Sequence, residues 1–177
     1  MDIKQKMKEL GLERIMVVDD TAENLQGARE YFKNMESVLV DYASSQRDAV
    51  KMLQNQKNKY DLLLTDLEME TKDSGYEVIH EGIINNVFGV IATGFNYNPE
   101  GHDRHGPTTT FMPLKDSIKG KKTEPWVWEK ALKHAIIYMN KFGLKKALDE
   151  NRANNKKAPK KYADIVVSLY KAEQKKQ

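Results

Sequence analysis

No cysteine occurs among the 177 residues, which excludes disulfides, thiolate metal sites and a cysteine nucleophile. No apolar run approaches the roughly 20 residues that a membrane span needs, so no membrane partner is expected. The opening MDIKQKMKEL is charged and lacks the apolar stretch of a signal peptide, which makes the cytoplasm the expected location. No internal repeat is visible. Uniform charge is absent too. The net +3 hides 11 basic against 4 acidic residues from Lys141 onward, so residues 1–140 carry −4. A body of that sign argues against nucleic acid as a partner, because phosphate binding needs a basic surface.

Hydrophobic residues make up 40% and charged residues 31%, the balance of a soluble globular protein, and the length suits one domain with a sizeable core. The expected division is an α/β domain over residues 1–143 and a basic linker with a helical extension over 144–177. Asn151–Lys161, NRANNKKAPKK, reads as a linker or exposed loop. Beyond it Tyr162, Ile165, Val166, Leu169 and Tyr170 recur at helical spacing, the pattern of a C-terminal helix that docks an apolar stripe on the body.

Ile3, Met7 and Leu10 predict a short helix ended at Gly11. Strands are predicted over Arg14–Asp20, Ser37–Ala43, Tyr60–Asp66, Phe88–Ala92 and Thr108–Met112. Helices are predicted between them at 21–32, Ser44–Gln56 and Gly75–Ile84, and a long one opens at Thr123 with Pro125 in its first turn. Asp20, with Glu23 three residues on, has the pattern of a capping box. Alternating strands and helices predict a three-layer α/β fold with a five-stranded parallel sheet, ordered 2-1-3-4-5 as in flavodoxin-like folds, plus the added C-terminal helix.

In such a sheet, ligands gather at the carboxyl ends of the strands. Asp19, Asp20, Asp66 and Thr93 all fall at that edge. Three carboxylates there repel unless a cation joins them, and oxygen ligands of this kind suit Mg²⁺. A hydroxyl and a lysine beside them can hold a phosphoryl group, whose transfer depends chiefly on charge neutralisation. The competing explanation is that strand-end Asp residues are turn formers and helix caps.

Val17-Val18-Asp19-Asp20, Leu62-Leu63-Leu64-Thr65-Asp66-Leu67-Glu68-Met69, Ser74-Gly75-Tyr76-Glu77-Val78 and Ile91-Ala92-Thr93-Gly94 give the chain, over about residues 13–142, a second layer of meaning. It resembles the receiver domain of bacterial two-component response regulators. The resemblance implies that Asp19 and Asp20 bind Mg²⁺ with Asp66 and the backbone carbonyl of Glu68. It implies Asp66 as phosphoacceptor and Thr93 as the hydroxyl that reads the phosphoryl group. The family places a lysine followed by proline after the fifth strand; here Met112-Pro113 stands there, so either that lysine is lost or Lys115 does its work. The usual fourth helix gives way to GFNYNPEGHDRHGP, too rich in Gly, Pro and Asn for a regular helix. A partner surface is expected on this loop, Gly94–Pro107.

The implied function is a stand-alone signalling receiver, with Mg²⁺-dependent phosphorylation at Asp66 and output through protein contacts with a histidine kinase or a downstream signalling protein. Enzymatic activity would then extend at most to autophosphorylation and autodephosphorylation at Asp66. One alternative is a degenerate pseudo-receiver that binds its partner without phosphorylation. Another is a small phosphatase. MVVDDTAENLQGAR and LLLTDLEM are similar to motifs of the haloacid-dehalogenase type, with Glu68 at the general acid/base position, but their order is permuted relative to that family.

Smaller signals remain. His102, Asp103 and His105 form a weak metal-like cluster in the loop, more simply read as exposed polar residues. Trp126 and Trp128 cannot share a helix face, so one is expected in the core. The GKK and KKAPKK runs read as solvated surface.

Overall fold

Three short apolar runs build the centre of the protein. RIMVV forms β1 (Arg14–Val18), LLLT forms β3 (Leu62–Thr65) and FGVI forms β4 (Phe88–Ile91). Apart from Arg14 every residue in them is buried, because parallel strands covered on both faces have no solvated side. β2 (Leu39–Ala43) lies at an edge, where Leu39 stays 66% exposed. The computed structural model describes residues 2–55, 57, 59–71, 74–92 and 122–155.

The helices are α1 (Ile3–Leu10), α2 (Ala22–Phe32), α3 (Gln46–Gln54), α4 (Ser74–Ile84), α5 (Pro125–Phe142) and α6 (Leu144–Ala153). α2 and α5 pack on each other, and between them reach β1, β3 and β4; α3 and α4 pack on each other, and reach β2, β3 and β4. This is helix cover on both faces of the sheet. α5 fills most of one face, with Val127, Trp128, Ala131, Leu132, Ala135, Ile136 and Met139 all buried. Trp128 is therefore the core tryptophan, while Trp126 is 40% exposed with the Lys130 ammonium 4.9 Å from its ring centre. Among the described residues no helix is long and apolar enough to cross a membrane.

The five-stranded sheet expected from the sequence is corrected to four strands among the described residues, all parallel, in the order β2-β1-β3-β4. The expected fifth strand, Thr108–Met112, lies outside the described residues. TTTFM is polar over three of five positions and is bracketed by Pro107 and Pro113, whereas β1, β3 and β4 are nearly all apolar. The expected C-terminal helix around Tyr162–Tyr170, the loop Gly94–Pro107, and His102, Asp103 and His105 also lie outside the described residues.

The reading of Asn151–Lys161 as a linker is corrected at its start, because Asn151, Arg152 and Ala153 belong to α6. Gly143, in the left-handed region at φ 61°, turns the chain from α5 into α6, which buries Leu144 and Leu148. The anchor of α6 is electrostatic. Asp61, buried just before β3, accepts hydrogen bonds through Oδ2 from the backbone N–H groups of Glu13 (2.8 Å) and Arg14 (3.1 Å). Its Oδ1 takes Arg152 Nη1 at 3.0 Å and lies 3.3 Å from Lys145 Nζ. Arg152 Nη2 also donates to the backbone carbonyls of Tyr60 and Asn86. A basic helix is thus held beneath the sheet by a carboxylate at the amino end of β3.

Removing that carboxylate leaves the Glu13 and Arg14 N–H groups without it and takes one anion from Arg152 and Lys145, which keep Asp149. Asp61→Ala is expected to destabilise the protein by about 3 kcal/mol, the cost of breaking a buried pair from one side. Lys146→Ala, which removes only a 4.0 Å exposed pair with Glu150, should change stability by less than about 0.5 kcal/mol. Urea unfolding of both variants measures the contrast, and equal effects would contradict the anchoring role.

Candidate functional site

Parallel register brings the acids together. Val18 of β1 stands opposite Thr65 of β3, so the next residues, Asp19 and Asp66, leave the sheet side by side. Each is still tied to it: Asp19 N donates to Ala43 O (3.2 Å) and Asp66 N to Val18 O (2.8 Å). Asp20 follows on the solvent side. Carboxylate oxygens of Asp19, Asp20 and Asp66 lie within 4.8 Å of one another; Asp19 and Asp66 are buried and Asp20 is exposed.

At the centre of this corner is a lysine the sequence reading left on the surface. Lys122 is buried, with its Nζ 2.7 Å from Asp19 Oδ2 and 2.6 Å from Asp66 Oδ1. The GKK run is therefore not wholly solvated. One signal could have found it: Lys122 stands three residues before Pro125, at the mouth of the helix that returns to the carboxyl edge of the sheet. Thr93 and Lys115 lie outside the described residues. Thr93 follows Ala92, whose N–H donates to Thr65 O at 2.7 Å, so the chain is still at the acidic edge one residue earlier.

The capping box expected at Asp20 and Glu23 does not form. Thr21 is the N-cap of α2 and makes no side-chain capping bond. Asp19 instead turns toward the helix start, its Oδ1 accepting from Thr21 N and Asn24 Nδ2, both at 3.0 Å. A buried carboxylate needs those donors more than an exposed one does, and Asp20 is left with a 3.4 Å contact from Thr21 Oγ1.

Asp66 is differently served. Oδ1 takes both Lys122 and the backbone N–H of Leu67 (2.8 Å), and no donor reaches Oδ2 among the described residues. Burial pushes its pKa up to about 6; Lys122 opposes that shift and the neighbouring Asp19 adds to it. Close packing fixes the same residue from behind. A Cβ at Gly75 would lie 2.0 Å from the Asp66 carbonyl oxygen, so only glycine lets α4 start there, with Gly75 N donating to Leu67 O at 2.9 Å.

The donor set fits a hard divalent cation. All the candidate ligands are oxygens, three carboxylates face one ammonium, and the Glu68 carbonyl accepts no backbone hydrogen bond among the described residues. The excess negative charge of a buried or half-buried corner is what such an ion neutralises.

The response regulator receiver domain family matches this chain over residues 15–85, so a receiver domain spans that segment. The match includes Asp19, Asp20, Asp66 and Gly75 and ends before β4, leaving Thr93 and Lys122 beyond it. No curated protein and no solved structure matches the chain.

The raised pKa of Asp66 has a defined consequence for stability. The folded protein holds this proton more tightly than the unfolded chain, whose carboxyl titrates near 3.8. Stability contributed by the protonated form is complete below about pH 4 and is lost as pH rises through about 6. Without added metal, Asp66→Asn should exceed the wild type in stability at pH 7 by on the order of 2 kcal/mol, with the two converging below about pH 4. Thermal or urea unfolding across that range checks the sign; a variant less stable at pH 7 would contradict it.

Proposed function

We propose that the chain is a receiver-type signalling module in which Asp66 is a Mg²⁺-dependent phosphoacceptor. The single observation that carries this reading is the asymmetric Asp66 carboxylate: one oxygen is held by Lys122 and Leu67 N–H, and the other meets no donor among the described residues. Oδ2 is then the nucleophile. It forms a bond to the phosphorus of a phosphoryl donor as the bond from phosphorus to the leaving group breaks, and the leaving group departs with that electron pair. Lys122 stays beside the carboxylate and offers its ammonium to the phosphoryl oxygens, where fixed positive charge matters most. Asp19, Asp20, Asp66 and the Glu68 carbonyl would hold Mg²⁺, which supplies charge neutralisation for the transferring group.

In this reading Lys122 takes the place for which Lys115 was the sequence candidate, and Thr93 carries the hydroxyl that reads the phosphorylated state. Catalysis is limited to gain and loss of the phosphoryl group at Asp66. Output passes through contacts with other proteins, a phosphodonor kinase or a downstream signalling partner, in the cytoplasm.

Incubation with acetyl phosphate and Mg²⁺ should add about 80 Da to the intact mass, the signature of one phosphoryl group. The adduct should vanish in Asp66→Asn and without Mg²⁺. Mg²⁺ should also raise the thermal midpoint of the wild type, because a ligand that binds only the folded state stabilises it. Neither an adduct nor a midpoint shift is the outcome for a pseudo-receiver acting by binding alone. Continuous phosphate release without an adduct is the outcome for a phosphatase using Glu68.

A further inference from the structure

Lys122 sits in a turn ahead of α5, so no strand ladder holds its backbone. Two neighbours do. The indole Nε1–H of Trp128, fully buried one turn into α5, donates to the Lys122 carbonyl at 2.8 Å. On the other side, Gly27 of α2 presses against the same peptide. A Cβ there would lie 2.5 Å from Thr123 O and 2.7 Å from Lys122 O, distances that backbone atoms cannot accommodate without moving.

The geometry points to Trp128 and Gly27 as positioning residues that set Lys122 between Asp19 and Asp66. A buried ammonium bridging two carboxylates is worth having only if its backbone is fixed, since a long lysine side chain otherwise has many rotamers open to it. The indole supplies a directional bond to the carbonyl of the residue being positioned. Gly27 supplies the space in which that carbonyl rests. Because α2 also begins beside Asp19, through Thr21 and Asn24, one helix orients the acid at its start and the lysine's peptide at its middle. α5 orients the lysine from the opposite side. Neither Trp128 nor Gly27 touches a carboxylate of the site; both act through Lys122. The consequence for phosphoryl transfer rests on the proposed function, whereas the positioning itself does not.

Amine reactivity tests the positioning directly. The folded protein is treated with limiting acetic anhydride, and acetylation at each lysine is read by peptide mass spectrometry. In the wild type Lys122 should acetylate far more slowly than Lys146, whose side chain is 85% exposed. Trp128→Phe keeps an aromatic ring and loses the N–H; Gly27→Ala leaves the indole intact and displaces the peptide. Both should acetylate Lys122 faster, Trp128→Phe by about tenfold, the factor that loss of one buried hydrogen bond implies, and Gly27→Ala through displacement of the peptide. Lys145, half-buried beside Asp61 at the other end of the sheet, should be unchanged in both. Equal protection of Lys122 in wild type and variants overturns the inference. So does a parallel rise at Lys145, which would mean general loosening. If neither variant folds, a wild-type Lys122 as reactive as Lys146 overturns it alone. The readout needs no phosphoryl transfer, so a failure of Asp66 to accept phosphate is distinguishable from a failure of the positioning.

Discussion

The ammonium of Lys122 between Asp19 and Asp66 is the interaction on which the arrangement of the carboxyl edge depends. Burial and the neighbouring Asp19 both disfavour ionisation of Asp66. One cation shared between the two carboxylates removes much of the repulsion and leaves a net negative corner. For that cation to reach the pair, β1 and β3 must run parallel in a register that ends them together, and α5 must start over the same edge. Gly75 and Gly27 then become spatial requirements: at each, a methyl group would strike backbone rather than a side chain that could swing away.

The acids of this site were legible in the sequence because their signal is local. A short apolar run closing on a carboxylate predicts both a buried strand and the position of the acid at its end. Asp19 and Asp66 converge as that pattern requires. What escaped was carried by distant partners. LKKALDENRA has the composition of a solvated linker, yet α6 is bound by Asp61, about 90 residues earlier in the chain. Lys122 belongs to a basic run that looks solvated until the fold closes carboxylates around it. The expected capping box failed in turn because Asp19, once buried, had a stronger claim on the start of α2 than Asp20 did.

β3 carries a buried aspartate beyond each end, and the contrast between them separates a carboxylate that holds structure from one available for chemistry. Asp61 is saturated: two backbone N–H groups on one oxygen, an arginine and a lysine on the other. Every lone pair directed into the protein is engaged, and the group serves as a fixed anchor for α6. Among the described residues, Asp66 shares one cation with Asp19, receives one backbone N–H, and keeps an oxygen without a protein donor.

That difference follows from what each group is surrounded by, not from how deeply it is buried, since both are nearly inaccessible. A nucleophilic oxygen cannot be capped by a donor that must first be displaced, so an acceptor carboxylate has to be left partly unsatisfied. Burial raises the pKa of Asp66, and the donors that reach it, Lys122 and Leu67 N–H, do not offset that rise. Four buried residues, Leu62–Thr65, join the two ends, so the saturated anchor and the unsatisfied acid ride on one rigid strand. Secure attachment at Asp61 lets the opposite end of the same strand carry the destabilising charge of a buried carboxylate.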